Sequence, residues 1–258
     1  MAKRNPKKSL PTTSWDGVHR WYHDLVGKEG HYYHRRLIVP KTLAHLNLQR
    51  GSSLLDVACG QGVLARAVPE EVAYLGIDLS PSLIKLAKNS CRGPNKRFQV
   101  GDAAAFKAEG TFSHAALILA AQNFSRPGEV FEKIALHLAP GGKLVVVLNH
   151  PCFRIPRQTS WQVDEAKKIQ YRRVDRYMSS MEIPIRMHPG NKERAEETLS
   201  FHHPLSKWIG WLHKAGFVLT ELEELCSDKT SSGGAAKMEN RARSEIPLFM
   251  LLSCQIPG

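Results

Sequence analysis

One stretch limits what this chain can fold into more than any other: Leu54-Leu55-Asp56-Val57-Ala58-Cys59-Gly60-Gln61-Gly62-Val63. Leu54, Leu55 and Val57 are apolar on both sides of an extended chain, the pattern of a parallel strand buried between two layers. The run breaks on Gly60-Gln61-Gly62, and Val63-Leu64-Ala65-Arg66-Ala67-Val68 then has helical character. Strand, glycine turn and helix together bring backbone N–H groups and a helix N-terminus up to a ligand. Glycine suits such a turn because a Cβ would hold the ligand away and because the turn can require positive φ.

The same punctuation recurs downstream. Ala73-Tyr74-Leu75-Gly76-Ile77-Asp78 reads as a second buried strand ending in an acid, followed by Leu79 and then by Ser80-Pro81 as N-cap and first residue of a helix. An acid at that strand tip can accept hydrogen bonds from both ribose hydroxyls of an adenosine cofactor. Phe98-Gln99-Val100-Gly101-Asp102-Ala103 reads as a third strand with its own acid, and Ala115 to Leu119 as a fourth, running on into Ala120-Ala121-Gln122-Asn123-Phe124. A helix is expected from about Pro127 to Leu138, with Val130, Ile134 and Leu138 on one face. Ala139-Pro140-Gly141-Gly142 would stop it and reverse the chain into strand five, 143–148. Strand–helix alternation over 50–150 predicts a doubly wound parallel sheet.

Gly60-x-Gly62-x-x-Ala65 by itself also fits the loose dinucleotide fingerprint. Asp56, four residues before the first glycine, is what a nicotinamide-type loop normally lacks. The pattern D-x-A-x-G-x-G, the turn L-x-P-G-G-x-L at 138–144, and the segments His203-Pro204-Leu205-Ser206 and Leu212-His213-Lys214-Ala215-Gly216-Phe217 resemble class I S-adenosylmethionine-dependent methyltransferases of the methyltransferase-11 or ubiquinone-biosynthesis type. The resemblance implies a Rossmann-like α/β fold with a doubly wound seven-stranded sheet, mostly parallel with an antiparallel last strand. It also implies S-adenosylmethionine as cofactor, with Asp56, Ala58, Gly60, Gly62, Asp78, Leu79, Asp102 and Ala103 around it and Asp102 and Ala103 at the adenine.

Three segments outside this core are expected at the carboxyl edge of the sheet. Residues 15–50 form an N-terminal cap, in which Tyr33 and His34 either reach cofactor and substrate or pack the leading helix onto the core. Residues 149–204 form a substrate insertion after strand five, and 226–247 a lid loop between strand six (about 217–225) and a final strand (248–254). At the start of the first insertion, His150 is the candidate general base, because imidazole titrates near neutrality; a plain turn histidine is the competing reading. Arg154 and Arg157 are candidates to clamp a carboxylate or phosphate, or else surface salt-bridging residues. No spacing suggests a bound metal, and five cysteines without a C-x-x-C pair suggest a reducing, cytoplasmic compartment.

The net charge of +12 lies mostly at one end: residues 1–50 hold ten Lys/Arg against three Asp/Glu. Residues 1–14 read as a disordered basic tail, and a single domain spans 15–258. The tail has no apolar stretch after it of the kind a secretory signal needs, and no apolar run approaches the roughly 20 residues of a membrane span. Such a charge suits RNA as a partner through phosphate attraction and equally suits a solvated tail. The sequence therefore favours a methyltransferase acting on a small molecule. An RNA or ribosome methyltransferase and a non-catalytic binding module on the same fold are the alternatives, and a nicotinamide dehydrogenase is a remote one. The acceptor and the oligomeric state are not legible.

Overall fold

The computed structural model describes residues 31–186 and 197–258, so Met1 to Gly30, with the basic tail and the start of the cap, lie outside the described residues. Among those described, no helix is long and apolar enough to cross a membrane. The sheet contains β1 (Ser53–Val57), β2 (Ala73–Asp78), β3 (Lys96–Val100), β4 (Phe112–Ile118), β5 (Leu138–Asn149), β10 (Val218–Leu225) and β11 (Phe249–Gln255). Their order is β10-β11-β5-β4-β1-β2-β3, parallel except for β11, which runs antiparallel to both neighbours. This is the expected seven-stranded, doubly wound sheet. The chain winds outward from β1 through β2 to β3 and then crosses back to β4 on the other side of β1. A crevice therefore opens at the carboxyl ends of β1 and β4, where open α/β sheets bind ligands.

Side chains alternate between the two faces of each strand. Leu55 and Val57 join one core cluster, with Val130, Phe131 and Ile134 of α3 (Pro127–Ala135) and Trp208 and Leu212 of α4 (Leu205–Lys214). Leu54 joins the other, with Val39 and Leu46 of α1 (Val39–Leu46) and Ile84 and Ala87 of α2 (Pro81–Ser90). The central strands bury Ala115, Ala116, Leu117 and Leu144 to Leu148 almost completely. Each large aliphatic side chain so buried contributes roughly 1.5–3 kcal/mol, so the strand tips stand on a rigid base. Helix α2 begins as expected: Ser80 Oγ accepts from Leu83 N at 3.2 Å, and Pro81 occupies the first turn.

Two local expectations are corrected. Residues 63–68 form overlapping turns, with bonds from Arg66 N to Gly62 O and from both Ala67 N and Val68 N to Leu64 O, and do not continue as an α-helix. Helix α3 ends at Ala135, and Leu138 already opens β5 opposite Phe112. The Pro-Gly-Gly turn is a bulge inside that strand: Phe112 pairs with Leu138, but His114 pairs with Lys143. Gly142 is required there because a Cβ would stand 2.7 Å from the Ala139 carbonyl oxygen.

Both insertions carry structure of their own. The first contains two hairpins, β6 (Thr159–Asp164) with β7 (Ile169–Val174), and β8 (Met181–Arg186) with β9 (Glu197–His202). The second, expected as a loop, contains the ten-residue helix α5 (Ala236–Glu245). Ahead of α1, His34–Ile38 winds as a π-helix, a rare conformation that is frequent at functional sites.

Candidate active site

The chain leaves β1 through two left-handed positions, strained at Ala58 and free of strain at Gly60. Ala58 has φ +57° and Gly60 φ +55°, and Cys59 N donates to Ile77 O at 2.9 Å, tying the loop to β2. Asp78 completes the tie. Its Oδ2 accepts from Gly60 N and its Oδ1 from Ser80 N, both at 2.9 Å. The carboxylate thus fixes the glycine loop against the start of α2. Asp102, at the tip beyond β3, accepts from Ala104 N through Oδ1, and its carbonyl accepts from Ala105 and Phe106, closing a turn.

These tips line a cavity of about 540 Å³, within the roughly 300–1,000 Å³ usual for small-molecule sites. Ala58, Gly60, Asp78, Leu79, Asp102 and Ala103 are all in its wall. Asp56 and Gly62 are not. Asp56 faces the core, where Tyr74 Oη donates to Oδ2 at 2.5 Å. Burial raises its carboxyl to about 7, the Tyr74 bond pulls the other way, and the negative Asp78 nearby adds to the rise. Gly62, at φ +78°, lets the loop seat on α2: a Cβ there would lie 2.8 Å from Cys91 Sγ. Both residues support the loop from behind, a role that a sequence motif does not separate from contact with the ligand.

The rest of the wall comes from segments far apart in the chain: Gln122, Asn123 and Phe124 after β4, Asn149 at the end of β5, Thr198 and Ser200 on β9. Leu119, just past β4, has φ +52°, a second strained position on the rim. Gln122 Nε2 donates to Leu119 O at 3.0 Å, while its Oε1 is buried without a partner among the described residues. His34 also lines the cavity, and its Nδ1 is likewise buried without a partner among the described residues. Burial, with His31 and the positive Arg66 nearby, lowers His34 to about 4, so it is neutral at physiological pH. None of Gln122, Asn123, Asn149, Thr198 and Ser200 was marked by sequence. For Gln122 and Asn149 the available signal was their position just after a parallel strand; for Thr198 and Ser200 there was none.

The other sequence candidates are placed elsewhere. His150 is buried, its Nδ1 accepts from Cys152 N at 3.2 Å and its Nε2 donates to Glu224 Oε1 on β10 at 2.8 Å. It does not line the cavity, and with both nitrogens engaged it clamps the insertion to the sheet. Burial lowers its pKa against the opposing pull of Glu224. Tyr33 packs edge-on against Phe249 and bonds Ser227 Oγ at 2.8 Å through its hydroxyl, outside the cavity wall. Arg157 is exposed, with φ +61°. Arg154 lines a small recess beside the cavity.

Residues 54–142 match the sequence model of a family described as a methyltransferase domain. The chain is 28% identical over 142 residues to dTDP-3-amino-3,6-dideoxy-alpha-D-glucopyranose N,N-dimethyltransferase of Streptomyces fradiae, covering 53% of this chain and 55% of that one. It is 25% identical over 207 residues to phthiotriol/phenolphthiotriol dimycocerosates methyltransferase of Mycobacterium leprae, covering 78% and 69%. The first of these matches thus spans little more than half the length of the relative. An S-adenosylmethionine-dependent methyltransferase from Mesorhizobium loti superposes with a TM-score of 0.65 at 22% identity, over 84% of this chain and 96% of that one. Residues 54–142 thus match a methyltransferase-domain family model, and across most of its length the chain shares the fold of S-adenosylmethionine-dependent methyltransferases.

Proposed function

We propose that this chain transfers the methyl group of S-adenosylmethionine to a small-molecule acceptor. The observation that carries the reading is one cavity holding the two acid-tipped turns, Asp78 and Asp102, together with the buried, unpartnered Nδ1 of His34 and Oε1 of Gln122. Polar atoms left dry and unpaired in a protein wall fit a ligand that completes them, so the residues present suit an adenosine cofactor. Asp78 would receive its ribose hydroxyls, and Asp102 with the Ala103 N–H its adenine amino group. The cofactor supplies an electrophilic methyl on a sulfonium, and what remains for the protein is alignment and exclusion of water. Gln122 and His34 would orient the reactants by hydrogen bonds. At about 4, His34 is a weak proton acceptor at neutral pH and acts by position.

The small-molecule reading is supported by the size of the cavity and by the names of the relatives, which denote an amino-sugar nucleotide and phthiotriol dimycocerosates. The basic tail that raised RNA as an alternative lies outside the described residues. All five cysteines are free, in keeping with a reducing cytoplasm. The test is to incubate cell extract with the purified chain and methyl-labelled cofactor. Label is expected in the small-molecule fraction; label confined to RNA would replace this reading with the alternative, and no transfer together with no cofactor binding would remove it.

A further inference from the structure

Beside the main cavity lies a recess of about 30 Å³ that shares Gln122, Asn149, Pro156 and Ser200 with it. Its one guanidinium is Arg154, partly buried, with its carbon 5.0 Å from the centroid of the Phe249 ring. Among the described residues no carboxylate lies within ion-pair distance of Arg154. The charged group that faces it, Arg172 across the insertion, is of its own sign, and the His31 imidazole lies nearby at the cap. Arg172 is itself engaged, donating to Phe153 O and Thr159 Oγ1 at 2.8 Å. The phenol of Tyr33 is the other near neighbour. A ring face compensates a desolvated cation only in part, and buried charges are ordinarily paired. The recess also holds His203, whose Nε2 is buried without a partner. The acids of the main cavity, Asp78 and Asp102, both stand on the tips assigned to the adenosine.

We propose that the recess anchors a carboxylate of the methyl acceptor, with Arg154 as its counter-ion, so that the substrates are small carboxylic acids whose reacting atom lies in the main cavity. This deepens the methyltransferase reading as to substrate, while the binding of the anion does not depend on it. The recess opens onto the main cavity through the residues the two share, and a flat carboxylate there suits the guanidinium fork, which can hold it through two parallel bonds.

The probes are benzoate, benzamide and phenyl phosphate, titrated by NMR into the full chain saturated with S-adenosylhomocysteine, whose own binding is measured first by calorimetry. Benzoate is expected to bind at least tenfold more tightly than either other probe. Arg154→Met should abolish that preference, and Arg154→Lys, which keeps the charge without the fork, should retain part of it. Melting temperature and S-adenosylhomocysteine affinity verify that both variants fold. Should Arg154→Met fail to fold, a loss of threefold or more in Arg154→Lys decides in its place. Equal binding of benzoate and benzamide, or a benzoate affinity unmoved by the substitutions, would show that Arg154 only packs on Phe249 and would overturn the proposal. Tighter binding of phenyl phosphate would overturn the carboxylate assignment. Loss of S-adenosylhomocysteine binding with the benzoate preference intact would remove the methyltransferase reading and leave the recess standing.

Discussion

The two walls of the cavity are built on different terms. The wall from β1 to β3 is made by residues close in sequence, held by backbone: Asp78 is bonded to Gly60 N and Ser80 N, and Asp102 to Ala104 N. The wall past β4 and β5 is made by side chains that the chain brings together from 122 to 200, two of them on a hairpin that belongs to an insertion. Amide-anchored acids specify a ligand of constant shape, and swapping one distorts the loop that carries it. Side chains on separate excursions can change singly without disturbing the core. A constant cofactor with a variable acceptor suits that division.

The division predicts unequal costs. Gly62→Val forces a Cβ against Cys91 Sγ at a left-handed φ, and should destabilise by about 2–5 kcal/mol. Ser200→Val on the opposite wall should stay within about 1 kcal/mol. Thermal melting compares them, and equal losses would break the contrast. Asp56 tests the support behind the first wall through pH. Its carboxyl is raised from 3.8 to about 7 by burial. Between those values the unfolded chain has released the proton that the folded chain keeps, so stability falls as pH rises from about 4 to about 7 and levels above. Asp56→Asn should flatten that slope in melting curves across the window; an unchanged slope would mean that another group carries it.

Asp78→Ala should weaken S-adenosylmethionine binding by about 1–3 kcal/mol, since it removes both the loop tie and a charged acceptor. Calorimetry measures it, and a change under twofold would take Asp78 out of the site. The smallest effect is expected at His150, whose contacts are to Cys152 and Glu224 and not to the cavity. With Asn in its place, turnover should stay within about fivefold, roughly 1 kcal/mol. A hundredfold loss, together with disappearance of a pH limb near neutrality, would restore it as a base.

How much could be read in advance follows the same line. That Asp78, Asp102 and Gly60 line the cavity was legible because the crevice of an open α/β sheet lies at the carboxyl ends of its parallel strands, and the strands are visible as apolar runs. Asp56 shows the limit: alternation puts it on the face of Leu54, toward Tyr74, so the same motif residue that marks the loop points away from the cavity. His150 holds the position just past β5 of a ligand-facing residue yet lies outside the cavity wall, because its partner, Glu224, is on a strand 74 residues later. Helix α5 was missed because its solvated face leaves only Ala242 buried, too little apolar periodicity to mark it.

Local chemistry, written in consecutive residues, determined the alternation of strands and helices, the glycine turn and the acids at the strand tips, since propensity, period and strand polarity all act over short spans. Which buried atoms stay unpaired, which histidine faces the cavity, and that Arg154 lies against Phe249 without a counter-charge among the described residues were decided only by the tertiary structure. Those facts depend on pairs of residues from different elements, and the distance between such residues is set by packing and not by their separation along the chain.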